Sequence, residues 1–212
     1  MNNIALFGGT FNPIHLGHLK IATAIQTQFH FSSFLFLPAR KPVHKGASTS
    51  ASYRVEMLNL ALQAMPITAA SICLDEINRT TPSYTVETLK QLRKGSAPLS
   101  ITLILGWDAF GGLTSWHQYE KLLSLCHLLV VNRPNTDAPL PADLQALLQT
   151  HLTADSEMLK THPYGCIYLF DAGTHDISSS ELRKRIQQKQ SIVDWVPAPV
   201  WEYIKKNELY KS

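Results

Sequence analysis

The sequence predicts an α/β fold, a single doubly wound parallel sheet with helices on both faces. Two observations carry this. Short apolar runs alternate with segments of helical periodicity along the chain, and that alternation builds a mostly parallel sheet covered on both sides. Proline and glycine fall at the ends of these segments, and neither an internal repeat nor a low-complexity tract interrupts the order.

The elements follow in turn. Ile4 to Phe7 reads as a buried strand. His15 to Gln28 reads as a helix, because Leu19, Ala22, Ile25 and Phe29 recur three or four apart on one face. Phe34 to Leu37 is a strand stopped by Pro38, and a polar loop from Ala39 to Ala51 follows with Arg40, Lys41, His44 and Lys45. Tyr53 to Met65 is a helix ended by Pro66, Ile72 to Leu74 a short strand, and Tyr84 to Lys94 a helix that runs out at Gly95. Ile101 to Leu105 is the most strand-like run, with Gly106-Trp107-Asp108 behind it; Leu128 to Val131 is another, closed by Arg133-Pro134. The stretch 134–163 is polar and proline-bearing, and it is expected to be a surface excursion around a helix near Asp143 to Leu152. Ile167 to Phe170, a helix from Ser179 to Gln188 and a last helix from Pro199 to Asn207 complete the order.

Composition excludes several classes. At 212 residues the chain is expected to be one domain, and a chain of that size buries about 70% of its extended surface without staples. Apolar residues make up 45%, which argues against disorder. Nineteen Lys and Arg against sixteen Asp and Glu give +3, too weak a bias to indicate nucleic acid. The longest apolar stretch, Leu122 to Val131, has ten residues and is too short to span a bilayer. Met1-Asn2-Asn3 runs directly into the first strand, so no signal peptide is expected. Cys73, Cys126 and Cys166 are odd in number and widely spaced, which suits neither a disulfide framework nor a C-x-x-C pair. A cytoplasmic protein is expected.

In such sheets ligands sit beyond the carboxyl ends of the strands, so motifs just after strands weigh most. The strongest is Gly8-Gly9-Thr10-Phe11-Asn12-Pro13-Ile14-His15-Leu16-Gly17-His18, directly after the first strand. Its glycines let backbone approach a bulky ligand. The helix that follows is expected to open with bare N–H groups and a positive dipole end, an anion site in itself. His15 and His18 project from one face of its first turn, where an imidazole N–H aimed at a phosphate stabilises charge that builds there. Neither G-x-x-x-x-G-K-[ST] nor G-x-G-x-x-G is present. A metal site from His15, His18 and His44 fits poorly, since the pair lacks H-E-x-x-H spacing and no carboxylate follows within a turn.

A second constellation, Ile177-Ser178-Ser179-Ser180-Glu181-Leu182-Arg183, opens the penultimate helix. Ser178 with Glu181 is a capping box. The same hydroxyls, helix-start amides and Arg183 also make a phosphate clamp, and both readings can hold together.

With these motifs the chain resembles the bacterial nicotinate-nucleotide adenylyltransferases, in the H-x-G-H nucleotidyltransferase superfamily with its Rossmann-like fold. The resemblance runs nearly end to end through Pro38…Pro42-Val43-His44-Lys45, Pro82 to Leu89, Gly106-Trp107-Asp108, Trp116 to Glu120 and Arg133-Pro134. The H-x-G-H and serine-rich motifs mark only the superfamily; the Ser83-Tyr84-Thr85, G-x-D and tryptophan segments point to this member. Three positions depart from the pattern: Asn12 stands for Asp, Ser180 for Thr, and Trp107 fills a slot often small or polar, where it is expected to alter the pocket wall.

The resemblance implies a set of roles. Gly8, Gly9, Thr10 and Phe11 with His15 and His18 would hold the ATP triphosphate, His18 nearest the α-phosphorus. Ser178, Ser179, Ser180 and Arg183 would grip the departing β- and γ-phosphates. Gly106 and Asp108 would serve the ATP ribose. Thr85, Trp116 and His117 would form the pyridine pocket, with His44, Lys45 and Arg133 as further mononucleotide contacts. Without the resemblance Trp116 reads first as a core aromatic, and Lys45 equally as a solvated charge. Mg²⁺ carried with ATP, the partners ATP and nicotinate mononucleotide, no nucleic acid, no membrane and a monomer or homodimer are implied. Rival readings are an acceptor such as nicotinamide mononucleotide or phosphopantetheine, a CTP-dependent glycerol phosphate enzyme, a synthetase-like ligase, or a nucleotide sensor without catalysis.

Overall fold

The computed structural model describes residues 1–40, 49–80, 83–95, 98–132, 140–173 and 176–211. The order of elements is β1 (Asn2–Gly9), α1 (Leu16–Phe29), β2 (Ser33–Pro38), α2 (Ala51–Ala64), β3 (Ala70–Ile72), the short turn α3 (Asp75–Asn78), α4 (Thr85–Leu92) and β4 (Leu99–Gly106). Then come α5 (Trp107–Gly111), 3-10 turns at Leu113–Ser115 and Tyr119–Ser124, β5 (His127–Asn132), α6 (Ala142–His151), α7 (Met158–Thr161), β6 (Ile167–Asp171), α8 (Ser179–Gln187) and α9 (Ala198–Lys206). Among the described residues no helix is long and apolar enough to cross a membrane. The cysteines are free thiols.

All six strands lie parallel in one sheet of order β3-β2-β1-β4-β5-β6. The chain winds outward from β1 to β3, then crosses back to β4 on the other side of β1 and winds outward again. The crevice beyond β1 and β4 is therefore the topological switch point, where ligands of such sheets bind. The expected doubly wound sheet is what forms.

Strand alternation sorts the core into two layers. Ala5, Phe7, Ile104, Leu129 and Val131 face one layer with α1, α2, α8 and α9. Leu6, Ile101, Leu103, Leu105, Leu128 and Val130 face the other with α4, α5 and α6. In α1 the expected stripe of Leu19, Ala22, Ile25 and Phe29 is fully buried. The helix stops at His30, whose left-handed φ of 50° turns its N–H onto the Gln26 carbonyl at 3.0 Å.

Two sequence expectations need correction. The third strand lies at Ala70–Ile72, not at 72–74. Ala69 adopts φ 58° and Ala70 bonds back to Ile67, which sets the register two residues early and leaves Leu74 to cap α3. Residues 107–111, which the sequence left unassigned, form a helix that ends as the Gly112 N–H closes onto the Asp108 carbonyl. Within the polar stretch after β5, the expected helix is present as α6, and the part beyond it packs inward. Leu159 is fully buried, and the buried Ser100 hydroxyl donates to its carbonyl at 2.6 Å.

Candidate active site

The glycine turn follows from how β1 ends. Gly9 pairs with Pro38 at the last rung of the sheet, and the Ala39 N–H donates to the Gly9 carbonyl at 2.9 Å. A Cβ at Gly9 would sit 2.9 Å from the Phe11 ring, whereas one at Gly8 would meet nothing within 4 Å. Gly9 is thus required by close packing, whereas nothing in the protein itself crowds Gly8, which faces the open cavity. Phe11 turns the chain with φ 46°, a left-handed conformation uncommon for a bulky side chain. Its ring, 2% exposed, packs edge-on to His18 at 5.2 Å.

The two histidines are arranged in series. The His15 and His18 ring centroids stand 3.7 Å apart at 31°. His15 is buried and is the N-cap of α1, where its Nδ1 accepts the His18 backbone N–H at 3.4 Å. An acceptor at Nδ1 places the ring's proton on Nε2. His18 is half-buried, laid against His15 on one side and the Phe11 and Phe7 rings on others. Gly17 between them leaves room for this stack, since a Cβ there would lie 3.0 Å from His15 Nδ1.

The bare helix start expected for α1 is observed only in part, since the Gly17 N–H alone of its first turn meets no acceptor among the described residues. Its Leu16 N–H donates to the Trp195 carbonyl at 2.9 Å, and its His18 N–H is taken by His15. Groups far along the chain and within the motif itself have claimed amides that sequence left open.

The serine-rich motif closes over the same turn. Ser178 caps α8 by accepting the Glu181 N–H at 3.2 Å, one half of the capping box expected, while the Glu181 carboxylate pairs with Arg185 at 3.4 Å. Ser179 Oγ donates to the Pro13 carbonyl at 3.0 Å. Arg183 donates to the Asn12 carbonyl at 2.7 Å and to Ser180 Oγ at 3.4 Å. Asn12 also accepts from the Tyr210 hydroxyl through Oδ1 at 2.7 Å. The turn after β1 is therefore gripped by α8 and by the C-terminal segment.

One cavity of about 380 Å³ opens at the switch point. Gly8, Gly9 and Thr10 line it with Gly106 at the end of β4 and Ala109 in α5, and Thr85, Trp116 and His117 line it with Tyr84 and Glu76. Gly8, Gly9, Thr10 and Gly106, expected for ATP, thus share one space with Thr85, Trp116 and His117, expected for the mononucleotide, whereas Phe11, His15, His18, Ser178, Ser179, Ser180 and Arg183 are not part of its lining. Asp108 is exposed in the first turn of α5, one residue from the cavity wall. Trp107 does not alter that wall as expected; it packs on Phe110 at 6.0 Å, within the second core layer. Trp116 is half-buried against that layer while lining the cavity, so both readings of it hold. His44, Lys45 and Arg133 lie outside the described residues.

Four residues in or behind the site escaped the sequence. Tyr84 stacks on His117 at 4.2 Å and 29°, forming one rim. Glu76 is 5% exposed in the wall, and Thr88 Oγ1 donates to its Oε1 at 3.4 Å. Burial pushes the Glu76 carboxyl above the usual carboxylate range, against the pull of Arg79 and the Thr88 hydroxyl. Arg54 is 1% exposed and Tyr210 half-buried behind the turn. Tyr84 lies in the Ser83-Tyr84-Thr85 segment but was given no role there, and no local pattern marks the other three; a lone arginine or carboxylate in a helical segment reads as a solvated charge.

A cytidylyltransferase-like family model matches residues 6–185. A protein of Legionella pneumophila (strain Lens) named probable nicotinate-nucleotide adenylyltransferase is 43% identical over 213 residues, covering 100% of both chains. The chain belongs to the nicotinate-nucleotide adenylyltransferase family. A further relative so named, from Yersinia pestis (strain Pestoides F), is 38% identical over 98% of this chain and 95% of its own. This nucleotidyltransferase shares its fold with a Plasmodium falciparum nicotinic acid mononucleotide adenylyltransferase solved with NaAD. That match has a TM-score of 0.73 at 22% identity, over 99% of this chain and 98% of the other.

Proposed function

We propose that this adenylyltransferase joins the AMP moiety of ATP to nicotinate mononucleotide, giving nicotinate adenine dinucleotide and pyrophosphate in NAD biosynthesis. The observation that carries the reading is the single cavity that sets the glycine turn and Gly106 against Thr85, Trp116 and His117. A triphosphate on one side and a pyridine ring on the other would meet at the His15–His18 stack.

The mononucleotide phosphate is already an anion, so it needs no general base. One of its oxygens bonds to the α-phosphorus of ATP, the bond from that phosphorus to the β-bridging oxygen breaks, and pyrophosphate leaves with the electron pair. Catalysis of this kind is positioning plus stabilisation of spreading charge. His18 would donate an N–H to the α-phosphate, held in place by His15. Gly8 to Phe11 would cradle the chain of phosphates, Ser178 to Ser180 and Arg183 would take the departing end, and Asp108 would accept ribose hydroxyls. Trp116 would stack on the pyridine, with Thr85 and His117 beside it.

Among the described residues no group of three His, Cys, Asp or Glu is arranged to hold a metal ion. Mg²⁺ carried with ATP would be held mainly by substrate oxygens and water, where it would neutralise phosphate charge.

Pyrophosphate release from Mg-ATP, measured in parallel with nicotinate mononucleotide, nicotinamide mononucleotide and phosphopantetheine, tests the proposal. The first acceptor is expected to give the highest kcat/KM. Faster turnover with either of the others would overturn the assignment.

A further inference from the structure

Arg54 in α2 is the one buried arginine among the described residues. Its guanidinium spends its donors on four backbone carbonyls. Nη1 reaches Thr10 at 2.7 Å, Nη2 reaches Ala39 at 2.7 Å and Arg40 at 3.0 Å, and Nε reaches Thr49 at 3.2 Å. No carboxylate among the described residues pairs with it. Burial lowers its pKa from the ordinary guanidinium value, with Tyr210 acting weakly in the other direction. A buried cation without an anion is costly, and carbonyl dipoles offset that only in part.

Two of the carbonyls belong to residues that line the cavity, Thr10 after β1 and Ala39 after β2. In a planar trans peptide the N–H points opposite to the C=O. Drawing the Thr10 and Ala39 carbonyls onto Arg54 therefore aims the Phe11 and Arg40 N–H groups away from it. No acceptor among the described residues takes either N–H. The Phe11 amide follows Thr10 and the Arg40 amide follows Ala39, whose own N–H bonds Gly9, so both stand beside the Gly8–Gly9 end of β1 with the Arg54 charge behind them.

We propose that Arg54 is the positioning residue of the triphosphate cradle, orienting the Phe11 and Arg40 amides for phosphate oxygens and holding a charge that the phosphates neutralise. The inference rests on the reading that this cavity takes ATP. Arg54 itself touches no substrate; it acts through the peptide units it holds. A lysine in its place keeps the charge but cannot fork to four carbonyls.

The test combines wild-type hydrogen exchange with kinetics of Arg54→Lys and Arg54→Met. In the wild-type enzyme a non-hydrolysable ATP analogue is expected to slow exchange at the Phe11 and Arg40 amides. In folded Arg54→Lys the KM for ATP is expected to rise about tenfold or more, the scale of one charge-assisted hydrogen bond. Its KM for the mononucleotide should stay within about twofold, with Arg54→Met worse on ATP than Arg54→Lys. A merely structural role would move both KM values together, and that result would overturn the proposal. So would unprotected Phe11 and Arg40 amides in wild-type enzyme that demonstrably binds the analogue, a readout that stands even if neither variant folds. Wild-type enzyme that does not bind the analogue at all would overturn the ATP reading, and this proposal with it.

Discussion

The Tyr210 hydroxyl donates to Asn12 Oδ1 at 2.7 Å across a separation of 198 residues, so the end of the chain is fastened to the turn after the first strand. Arg183 holds the carbonyl of the same Asn12 at 2.7 Å. The turn after β1 is thus held by Tyr210 from the C-terminal segment and by Arg183 from α8.

Tyr210→Phe removes this donor and leaves Asn12 Oδ1 short of it. A loss of about 1 kcal/mol in stability is expected from one hydrogen bond, with a raised KM for ATP. Burial pushes the Tyr210 hydroxyl up to about 12, against hydrogen bonding to Thr49 and the nearby Arg183 and Arg54. A folded pKa above the unfolded value of about 10 gives stability that is intact below pH ~10 and lost as pH rises toward the folded value. Thermal melts between pH 9 and 11 should therefore fall more steeply for the wild-type enzyme than for Tyr210→Phe. Parallel curves would show that Tyr210 does not titrate this way.

The histidine pair should separate into two roles. His18→Ala is expected to cut kcat by about 10²-fold or more, the scale of one lost charge-stabilising donor. His15→Ala should in addition cost about 1 kcal/mol of stability, because it removes the cap of α1. His15→Asn restores a capping oxygen without the ring, so stability should recover while kcat stays low. Full activity in His15→Asn would show that the ring stack does not orient His18.

Adjacent glycines should fail in different ways. Gly8→Ala places a methyl in open space at the cavity wall. Its Tm should hold, while the KM for ATP rises on the order of tenfold from crowding in the ligand's space. Gly9→Ala drives a methyl to 2.9 Å from the Phe11 ring, and should lose about 1–3 kcal/mol in denaturant titration. Equal Tm losses in the two variants would contradict this division.

His127 provides a pH dependence away from the site. Fully buried, it accepts the Cys166 N–H at Nδ1 at 3.1 Å, and its Nε2 lies 2.9 Å from the His162 carbonyl. Burial lowers its pKa below the ordinary histidine value, with the His162 carbonyl bond opposing. The unfolded chain then takes up the proton first, so stability should fall as pH drops through about 6.5 and level off below the depressed folded value. Chemical denaturation from pH 7.5 to 5 should show a shallower slope in His127→Gln. An unchanged slope would assign the acid sensitivity to other groups.

Local pattern was enough for most of the scaffold. The stripe of Leu19, Ala22, Ile25 and Phe29 foretold α1, and the run Ile101 to Leu105 foretold the core of β4, because side-chain period reports which face is buried. The Ser178 cap on the Glu181 N–H was equally legible, since both partners lie within one helical turn. The third strand was misplaced because Ala69, with φ 58°, carries no glycine or asparagine to announce the turn.

By itself, the order of residues determined the alternating strands and helices, the glycine turn after β1, and the pairing of His15 with His18 on one helical turn. Each of these rests on contacts within a few positions. Only the tertiary structure decided that Trp195 would take an α1 amide, that Ser179 would reach Pro13, and that Arg54 would gather Thr10, Ala39, Arg40 and Thr49. Those partners meet because the sheet winds outward from β1 in both directions and brings its loops to one edge, a closure that no short window of sequence records.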